Sequence, residues 1–344
     1  MMALDVLLER LPTALVDDPA RKRLRLLADP LPDALSARIG LEARLGDDPT
    51  VDLLLLVTAE RQLAVLAGAD PAVALPPELA GQPSWQGAAR LGRRARSLAA
   101  AGSALPPGIW LELDAAGDQP VGAPAVFTAA TPDRARSSDA EPSGSPPVGG
   151  VVNEVLRTLA QAPPDPALVG QVDQIVHSGL DVRQVGCFTA RPGAGIRLFC
   201  AAPTTDPTEL IAALAFTGWR GPVAAVERWL DWCRRHGDAT HLNLDVTPAG
   251  PLPTIGLELS LADAAQPHQD PRWGTLLDSL VASGLCRPAK RDALLTLGRG
   301  YEAMLMGRRR YRQGLHHLKI TVRADGGAGV KAYFGAYEVA GGPR

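Results

Sequence analysis

Lysine is scarce in this chain, and cysteine is rare. Of the 35 basic residues only four are lysines, and this bias, with abundant Ala, Gly and Pro, is typical of a GC-rich genome. The four cysteines form no CxxC motif, which argues against a dithiol or zinc-ribbon signature. Reduced thiols in a cytoplasmic protein are therefore expected.

Long apolar runs and strong net charge are absent as well. No run of about 18 apolar residues and no N-terminal signal pattern occurs, so neither a membrane span nor a secretory leader is predicted. The net charge is -2, which argues against a general nucleic-acid or membrane-surface partner. No P-loop and no nucleophile elbow is present. Cys233, His236 and His241 have loosely zinc-like spacing but no fourth ligand, so no metal site is predicted.

The chain instead contains a repeated pattern of two amphipathic helices followed by a β-hairpin. The pattern occurs five times, and the five units are not similar in sequence. The predicted helix pairs lie at 3–15 and 19–29, 59–68 and 85–100, 151–161 and 165–178, 206–217 and 222–236, and 271–283 and 288–297. The predicted hairpins lie near 36–58, 108–130, 182–203, 240–261 and 315–340.

Five hairpins supply ten antiparallel strands. We therefore predict an α+β fold over residues 1–344, a single ten-stranded barrel of five ααββ units with an outer ring of helices. The alternative is a set of open sheets with one wet face. Residues 131–150 are rich in Pro, Ser, Asp and Gly, which predicts a flexible insertion rather than a domain boundary.

The strands alternate apolar and polar side chains. In the first strand, Ile39 and Leu41 alternate with Arg38, Glu42 and Arg44. If the apolar faces pack on the helices, the polar faces must line an internal chamber. By the same alternation the lining also includes Trp110, Glu112, Asp114, Arg197, Asn243, Asp245, Glu258, His317, Lys319, Lys331, Tyr333 and Tyr337.

The third hairpin carries a glycine-rich turn at 192–195. A tight turn centred on Gly193 and Ala194 would place Phe188 opposite Phe199, and Cys187 opposite Cys200. Arg197 would then lie on the polar face. The two cysteines would lie on the apolar one, as core residues rather than as a disulfide or a metal site.

Cations that converge in a chamber need an anion. Two of the four lysines, Lys319 and Lys331, lie on one face of the fifth hairpin, beside Tyr333. Ammonium and phenol donors suit a phosphate or diphosphate, whose oxygens they can reach from several directions. The alternative is a set of internal Arg–Glu and Lys–Asp pairs that hold the shape of the barrel.

The five-unit pattern and the strand VKAYFGAY at 330–337 resemble the ABBA-type (PT-barrel) aromatic prenyltransferase superfamily, in particular its more remote bacterial members. In that superfamily a Lys-x-Tyr strand grips the prenyl diphosphate, and Lys331 and Tyr333 match it. Arg197 on IRLF and Lys319 on LKIT resemble the family's other inward cations. Members that act on indoles carry a glutamate on an early strand, which Glu42 and Glu112 match by rough position.

The resemblance implies a prenyltransferase of natural-product biosynthesis that moves an allylic prenyl group from its diphosphate to an aromatic or ribosomal-peptide acceptor. The diphosphate would be bound by Arg44, Arg197, Lys319, Lys331 and Tyr333. Glu42, Glu112 or Glu258 would orient the acceptor and take its proton, and Trp110, Asn243, His317 and Tyr337 would complete the substrate site. Whether Mg²⁺ accompanies the diphosphate stays open. The second hypothesis is an accessory barrel that binds a peptide or metabolite without this chemistry.

Overall fold

A computed structural model describes residues 2–36, 38–101, 108–115, 122–130, 148–160, 162–188, 195–202, 206–261, 266–298, 304–306 and 309–339. None of the helices in these ranges is both long and apolar enough to cross a membrane. Most of the proposed insertion, residues 131–147, lies outside the described ranges.

The described residues form eleven α-helices, close to the predicted positions. They are α1 (Met2–Arg10), α2 (Asp18–Ala28), α3 (Glu60–Leu66), α4 (Pro77–Ala80), α5 (Pro83–Ala100), α6 (Val148–Ala160), α7 (Pro166–His177), α8 (Pro207–Phe216), α9 (Val223–His236), α10 (Arg272–Ala282) and α11 (Pro288–Thr296). The short helix α4, between the two helices of the second unit, has no counterpart in the sequence prediction.

The strands make one antiparallel sheet that closes on itself. They are β1 (Arg38–Arg44), β2 (Val51–Val57), β3 (Ile109–Leu113), β4 (Ala125–Ala129), β5 (Asp181–Cys187), β6 (Ile196–Ala201), β7 (Ala239–Thr247), β8 (Gly250–Ser260), β9 (Met304–Met306), β10 (Arg309–Val322) and β11 (Ala328–Val339). Strand order follows the sequence, and β11 pairs with both β10 and β1. This closure confirms the predicted ten-stranded antiparallel barrel with helices outside. The short strand β9, which was not predicted, pairs with the far end of β10.

Asp and Pro residues set the starts of several helices. The side chain of Asp17 accepts a hydrogen bond from Ala20 N at the start of α2, and Asp165 and Asp206 cap α7 and α8 in the same way. An Asp cap satisfies an amide left free in the first turn, and a Pro there loses no helical hydrogen bond. These caps explain why the helices begin at these residues.

The two faces of the barrel wall carry different side chains, as predicted. Leu53, Leu55 and Leu111 point outward and are fully buried, and outside them helices such as α2 and α9 pack against β2 and β8. The inward face carries charged and polar residues, of which Glu42 and Lys319 are themselves buried. The core therefore lies between barrel and helices, and the barrel interior is left for polar groups.

The predicted register of the third hairpin is wrong. Cys187 pairs with Ile196 rather than Cys200, and Gln184 rather than Phe188 pairs with Phe199. The reason is that β5 ends at Cys187 and β6 begins at Ile196, so the connection is longer than a tight turn. The shift is an even number of residues, so every side chain keeps its predicted face.

Candidate active site

The barrel interior contains two adjoining cavities. The first, here called the aromatic chamber, has a volume of about 400 Å³ and is lined by Trp110, Phe127, Phe199, Tyr333, Glu112, Glu258, His316 and His317 among others. The second, the polar chamber, has about 480 Å³, and its lining includes Arg44, Asp47, Asp48, Asp245, Thr321, Arg323 and Lys331. Arg197, Asn243 and Lys319 line both chambers, so a polar wall lies between them.

Glu42 has hydrogen-bond donors at both of its carboxylate oxygens. It is 1% exposed, and its two carboxylate oxygens accept hydrogen bonds from Lys331 Nζ and Tyr333 Oη. Burial alone would raise the pKa of Glu42, but the charges of Lys331 and Lys319 and these hydrogen bonds hold it well below its usual range. Glu42 is thus an anion at neutral pH.

A second buried carboxylate faces Glu42 across the β1–β2 pair. Asp52 accepts a hydrogen bond from Arg44 Nη1 at 2.6 Å and one from the backbone N–H of Ala115 at 2.9 Å. Burial and the charge of Glu42 raise the pKa of Asp52, which Arg44 counteracts. Arg44 also lies 4.0 Å from Glu42, so one guanidinium serves both carboxylates.

Glu112 differs from these two because it makes no hydrogen bond or salt bridge to another described residue. It is 8% exposed and lines the aromatic chamber. Burial, and then the negative charge of Glu42, raise its pKa to about 7. A carboxyl group that is half protonated near neutral pH can act as acid or base.

Oxygens of Glu42, Asp52 and Glu112 lie within 4.8 Å of one another, and carboxylate oxygens are the ligand type that Mg²⁺ prefers. Both oxygens of Glu42 are engaged by Lys331 and Tyr333, and both of Asp52 by Arg44 and Ala115. Only Glu112 keeps its oxygens uncommitted. The group as arranged does not fit Mg²⁺.

The two cations shared by both chambers have unlike partners. Arg197 makes a bidentate ion pair with Asp245, at 2.7 and 3.0 Å. Lys319 is 6% exposed, and among the described residues its Nζ donates only to Asn243 Oδ1, at 3.3 Å. Burial and the charge of Arg197 lower the pKa of Lys319 to about 8. Lys319 is therefore a buried amine with no described carboxylate paired to it.

Asn243 connects Lys319 to a second set of polar groups. Its Nδ2 donates to Glu258 Oε1 at 2.8 Å, and Glu258 Oε2 lies 3.5 Å from His317 Nε2. His317 stacks on the ring of Tyr333 with centroids 4.2 Å apart, and burial lowers its pKa. His317 is thus a neutral imidazole whose Nε2 has no hydrogen-bond partner in the described part of the chain.

The aromatic chamber has rings on several sides. The Arg38 guanidinium lies 5.4 Å from the ring centroid of Trp110, and Phe199 stacks on His241 at 4.8 Å. A Cβ at Gly186 would lie 2.2 Å from the Phe127 ring, so this glycine leaves the space that Phe127 fills. The aromatic chamber thus places aromatic rings next to the two cations of the polar wall, Arg197 and Lys319.

Eleven of the twelve predicted site residues have described side chains, and all eleven belong to the barrel interior. They are Glu42, Arg44, Trp110, Glu112, Arg197, Asn243, Glu258, His317, Lys319, Lys331 and Tyr333. The side chain of the twelfth, Tyr337, lies outside the described part, although its backbone pairs with Arg38 in the β1–β11 ladder.

Internal ion pairs are present, as in the alternative, but the closest of them join Arg to Asp and Lys to Glu rather than Arg to Glu and Lys to Asp. Arg44, Arg197 and Lys331 pair with Asp52, Asp245 and Glu42. Lys319 alone of the four predicted diphosphate-binding cations has no such pair among the described residues.

Several residues of the barrel's inner face were missed by the sequence prediction. Asp52 stands in VDLLLLV, where the apolar run conceals the alternation that points Asp52 inward opposite Glu42. Phe127 and Phe199 were missed because apolar side chains on the inner face look like core residues. His316 joins His317 in the lining because an irregularity between Leu315 and His317 breaks the alternation.

Solved structures with a similar fold include three proteins. AnaPT from Neosartorya fischeri is 14% identical, with 89% of this chain and 80% of that chain covered and a TM-score of 0.47. The prenyltransferase PriB, in complex with L-tryptophan and dimethylallyl thiolodiphosphate, is 12% identical, with 94% and 92% covered and a TM-score of 0.47. The 5-dimethylallyl tryptophan synthase of Streptomyces coelicolor is 16% identical, with 93% and 90% covered and a TM-score of 0.43.

No protein-family model matches the chain, and no curated protein sequence matches it.

Proposed function

We propose that this chain is a prenyltransferase that moves an allylic prenyl group from its diphosphate to an aromatic acceptor in natural-product biosynthesis. The observation that carries the proposal is Lys319, a buried amine without a described carboxylate partner, in the wall between the two chambers. A buried cation without a counterion is costly unless a ligand supplies one. A diphosphate at this wall would do so.

The donor would lie across the wall. Its diphosphate would take hydrogen bonds from Lys319 and Arg197, with Lys331 and Arg44 on the side of the polar chamber and Tyr333 on the side of the aromatic chamber. Arg197 and Arg44 can keep their carboxylate partners, because a guanidinium has five N–H donors and each uses only one or two here. The prenyl chain would extend into the aromatic chamber.

Loss of the diphosphate from such a donor leaves an allylic cation. The ring faces of Trp110, Phe127, Phe199 and Tyr333 line the aromatic chamber, and aromatic faces attract cations electrostatically. A chamber that excludes water also protects the cation from hydrolysis and strengthens each electrostatic contact inside. Cations at the wall stabilise the charge that builds up on the departing diphosphate.

Glu112 is the best placed group to receive the acceptor's proton. Its carboxylate has no other described partner and faces the aromatic chamber. In the transfer, the bond between the prenyl carbon and the diphosphate oxygen breaks and a bond to the acceptor forms. The acceptor's proton then passes to the Glu112 carboxylate. Glu258, held by Asn243, and His317 would orient the acceptor, whereas Glu42 is committed to Lys331 and Tyr333.

A second function, an accessory barrel that binds a peptide or metabolite without transfer, is favoured by one observation. Three of the four predicted diphosphate-binding cations are already paired with carboxylates inside the barrel. Such pairs can hold the barrel's shape without any ligand, so they weaken the need for an anion at Arg44, Arg197 and Lys331.

Mass spectrometry of reaction mixtures separates the two functions. The protein is incubated with dimethylallyl, geranyl or farnesyl diphosphate and with tryptophan, simple indoles, phenols or aromatic peptides. Prenyltransfer predicts an acceptor gaining the mass of one prenyl group, and the product should disappear with the Glu112→Gln variant. Acceptor binding without product from any donor would favour the accessory barrel.

A further inference from the structure

The two donors best suited to a diphosphate's oxygens are held by a carboxylate of the protein itself. Lys331 Nζ and Tyr333 Oη each donate to one oxygen of Glu42. Two neighbouring oxygens that accept from an ammonium and a phenol reproduce what a phosphate group would offer at the same place. Glu42 therefore stands where an anionic ligand would stand.

Displacing Glu42 would leave negative charge without compensation. Glu42 is 1% exposed and Asp52 is 1% exposed, and oxygens of these two and of Glu112 lie within 4.8 Å of one another. Once a diphosphate has taken Lys319, Lys331 and Tyr333, Arg44 is the one cation among the described residues left to balance Glu42 and Asp52. Buried carboxylates in such a group avoid the cost by sharing a proton.

We propose that Glu42 is an internal placeholder for the diphosphate, an inference that rests on the proposed donor site. Donor binding displaces Glu42 from Lys331 and Tyr333, and Glu42 then takes up a proton that it shares with Glu112. Glu112 can share that proton because it has no hydrogen bond or salt bridge to another described residue, and the pair keeps one negative charge with which to receive the acceptor's proton. Its oxygen is also close to that of Glu42.

Charged and titratable groups from several strands surround Glu42 and Glu112. Glu42 meets Lys331, Tyr333, Lys319, Arg44 and Asp52, and Glu112 meets Glu42, Arg197, Lys331 and Lys319. Burial and Glu42 already raise the pKa of Glu112 to about 7. Above that pH the empty barrel holds both carboxylates ionised, so a proton must enter from solvent on binding.

Proton uptake makes donor affinity depend on pH. If binding takes up about one proton, affinity falls by about tenfold for each pH unit above 7. The pKa of Lys319 is lowered to about 8. Lys319 is therefore partly neutral at pH 8 and also takes up protons when an anion binds. A measurement must therefore compare variants rather than rely on the wild-type slope.

Calorimetry with inorganic diphosphate at pH 8, in buffers of different ionisation enthalpy, counts the protons taken up. Wild type should take up about one proton more than Glu112→Gln, because the side-chain amide of that variant can donate to Glu42 without titrating. Glu227→Gln, which changes an exposed glutamate on α9, is the matched control and should behave as wild type. Equal proton numbers in wild type and Glu112→Gln overturn the inference while leaving the donor site standing.

A second variant decides the question if Glu112→Gln does not fold. Glu42→Gln removes the placeholder's charge, so it should bind inorganic diphosphate at least tenfold more tightly than wild type at pH 8. Unchanged or weaker binding by a folded Glu42→Gln overturns the placeholder role. If wild type itself binds no inorganic diphosphate, the proposed donor site fails, and the inference fails with it.

Discussion

Lys319 Nζ donates to Oδ1 of Asn243 at 3.3 Å, and the same Asn243 donates to Glu258. The Asn243 amide thus connects the buried ammonium to the Glu258 carboxylate, whose charge attracts Lys319 without a described ion pair between them. The ammonium retains donors for a ligand, and the ionised lysine is disfavoured until an anion arrives. This arrangement distinguishes Lys319 from the three paired cations.

The position of Lys319 depends on a glycine on the neighbouring strand. A Cβ at Gly256 would lie 2.8 Å from Lys319 Cε and 3.0 Å from Asn243 Cβ. Gly256→Ala should therefore push the flexible lysine aside and lower diphosphate affinity about tenfold, with little change in melting temperature. Gly274→Ala, where a Cβ meets nothing within 4 Å, is the control. Unaltered calorimetric affinity in Gly256→Ala would show that the lysine's position is unimportant.

The Arg197–Asp245 pair should stabilise the barrel as well as line the site. Its side chains are 20% and 22% exposed, on the cavity side, and Asp245→Asn would leave the guanidinium without a counterion. We expect the free energy of unfolding, from urea titration at neutral pH, to fall by about 3 kcal/mol.

The surface pair of Arg234 with Asp231, whose carboxylate is 44% exposed, provides the comparison. Asp231→Asn should change the free energy of unfolding by less than about 1 kcal/mol. Equal, small effects of the two substitutions would mean that the barrel does not depend on Arg197 being neutralised.

Glu112 should weaken the fold at alkaline pH. Its pKa is raised from 4.5 to about 7 in the folded chain, so the folded state holds a proton that the unfolded state loses between these values. The stability that this proton contributes is present below pH 4.5 and is lost as pH rises through 7. Glu112→Gln does not titrate, so relative to wild type it should gain up to about 3 kcal/mol between pH 5 and pH 8.

Urea titrations of both proteins at pH 5 and pH 8 measure this difference. The exposed Glu227→Gln should show no such dependence on pH. If the stability of Glu112→Gln relative to wild type were the same at both pH values, Glu112 would have an ordinary pKa and no special readiness to hold a proton.

Local signals explain why the fold could be predicted from the sequence. The alternation of Ile39, Leu41 and Ala43 with Arg38, Glu42 and Arg44 fixes which face of a strand is buried. Asp caps and Pro residues mark helix starts. The register of the third hairpin could not be obtained in the same way, because it depends on the length of a connection that composition suggested was tight.

The pairing of charges inside the barrel could not be predicted either. Strand alternation places Lys331, Tyr333 and Glu42 on the inner face but does not say which of them meet. That depends on β11 closing onto β1, a pairing between the two ends of the chain that puts Glu42 opposite Tyr333. Asp52 was hidden in an apolar strand, although its place opposite Glu42 follows once the first hairpin's register is known.

The central claim is that the barrel interior binds an allylic diphosphate, and calorimetric titration tests it most directly. Wild type, Lys319→Met and Lys22→Met, the last changing an exposed lysine on α2, are titrated with dimethylallyl, geranyl and farnesyl diphosphate. We predict that wild type and Lys22→Met bind at least one donor equally, and that Lys319→Met binds it about tenfold to a hundredfold more weakly. Wild type that binds none of the three, or Lys319→Met that binds as well as wild type, would contradict the account.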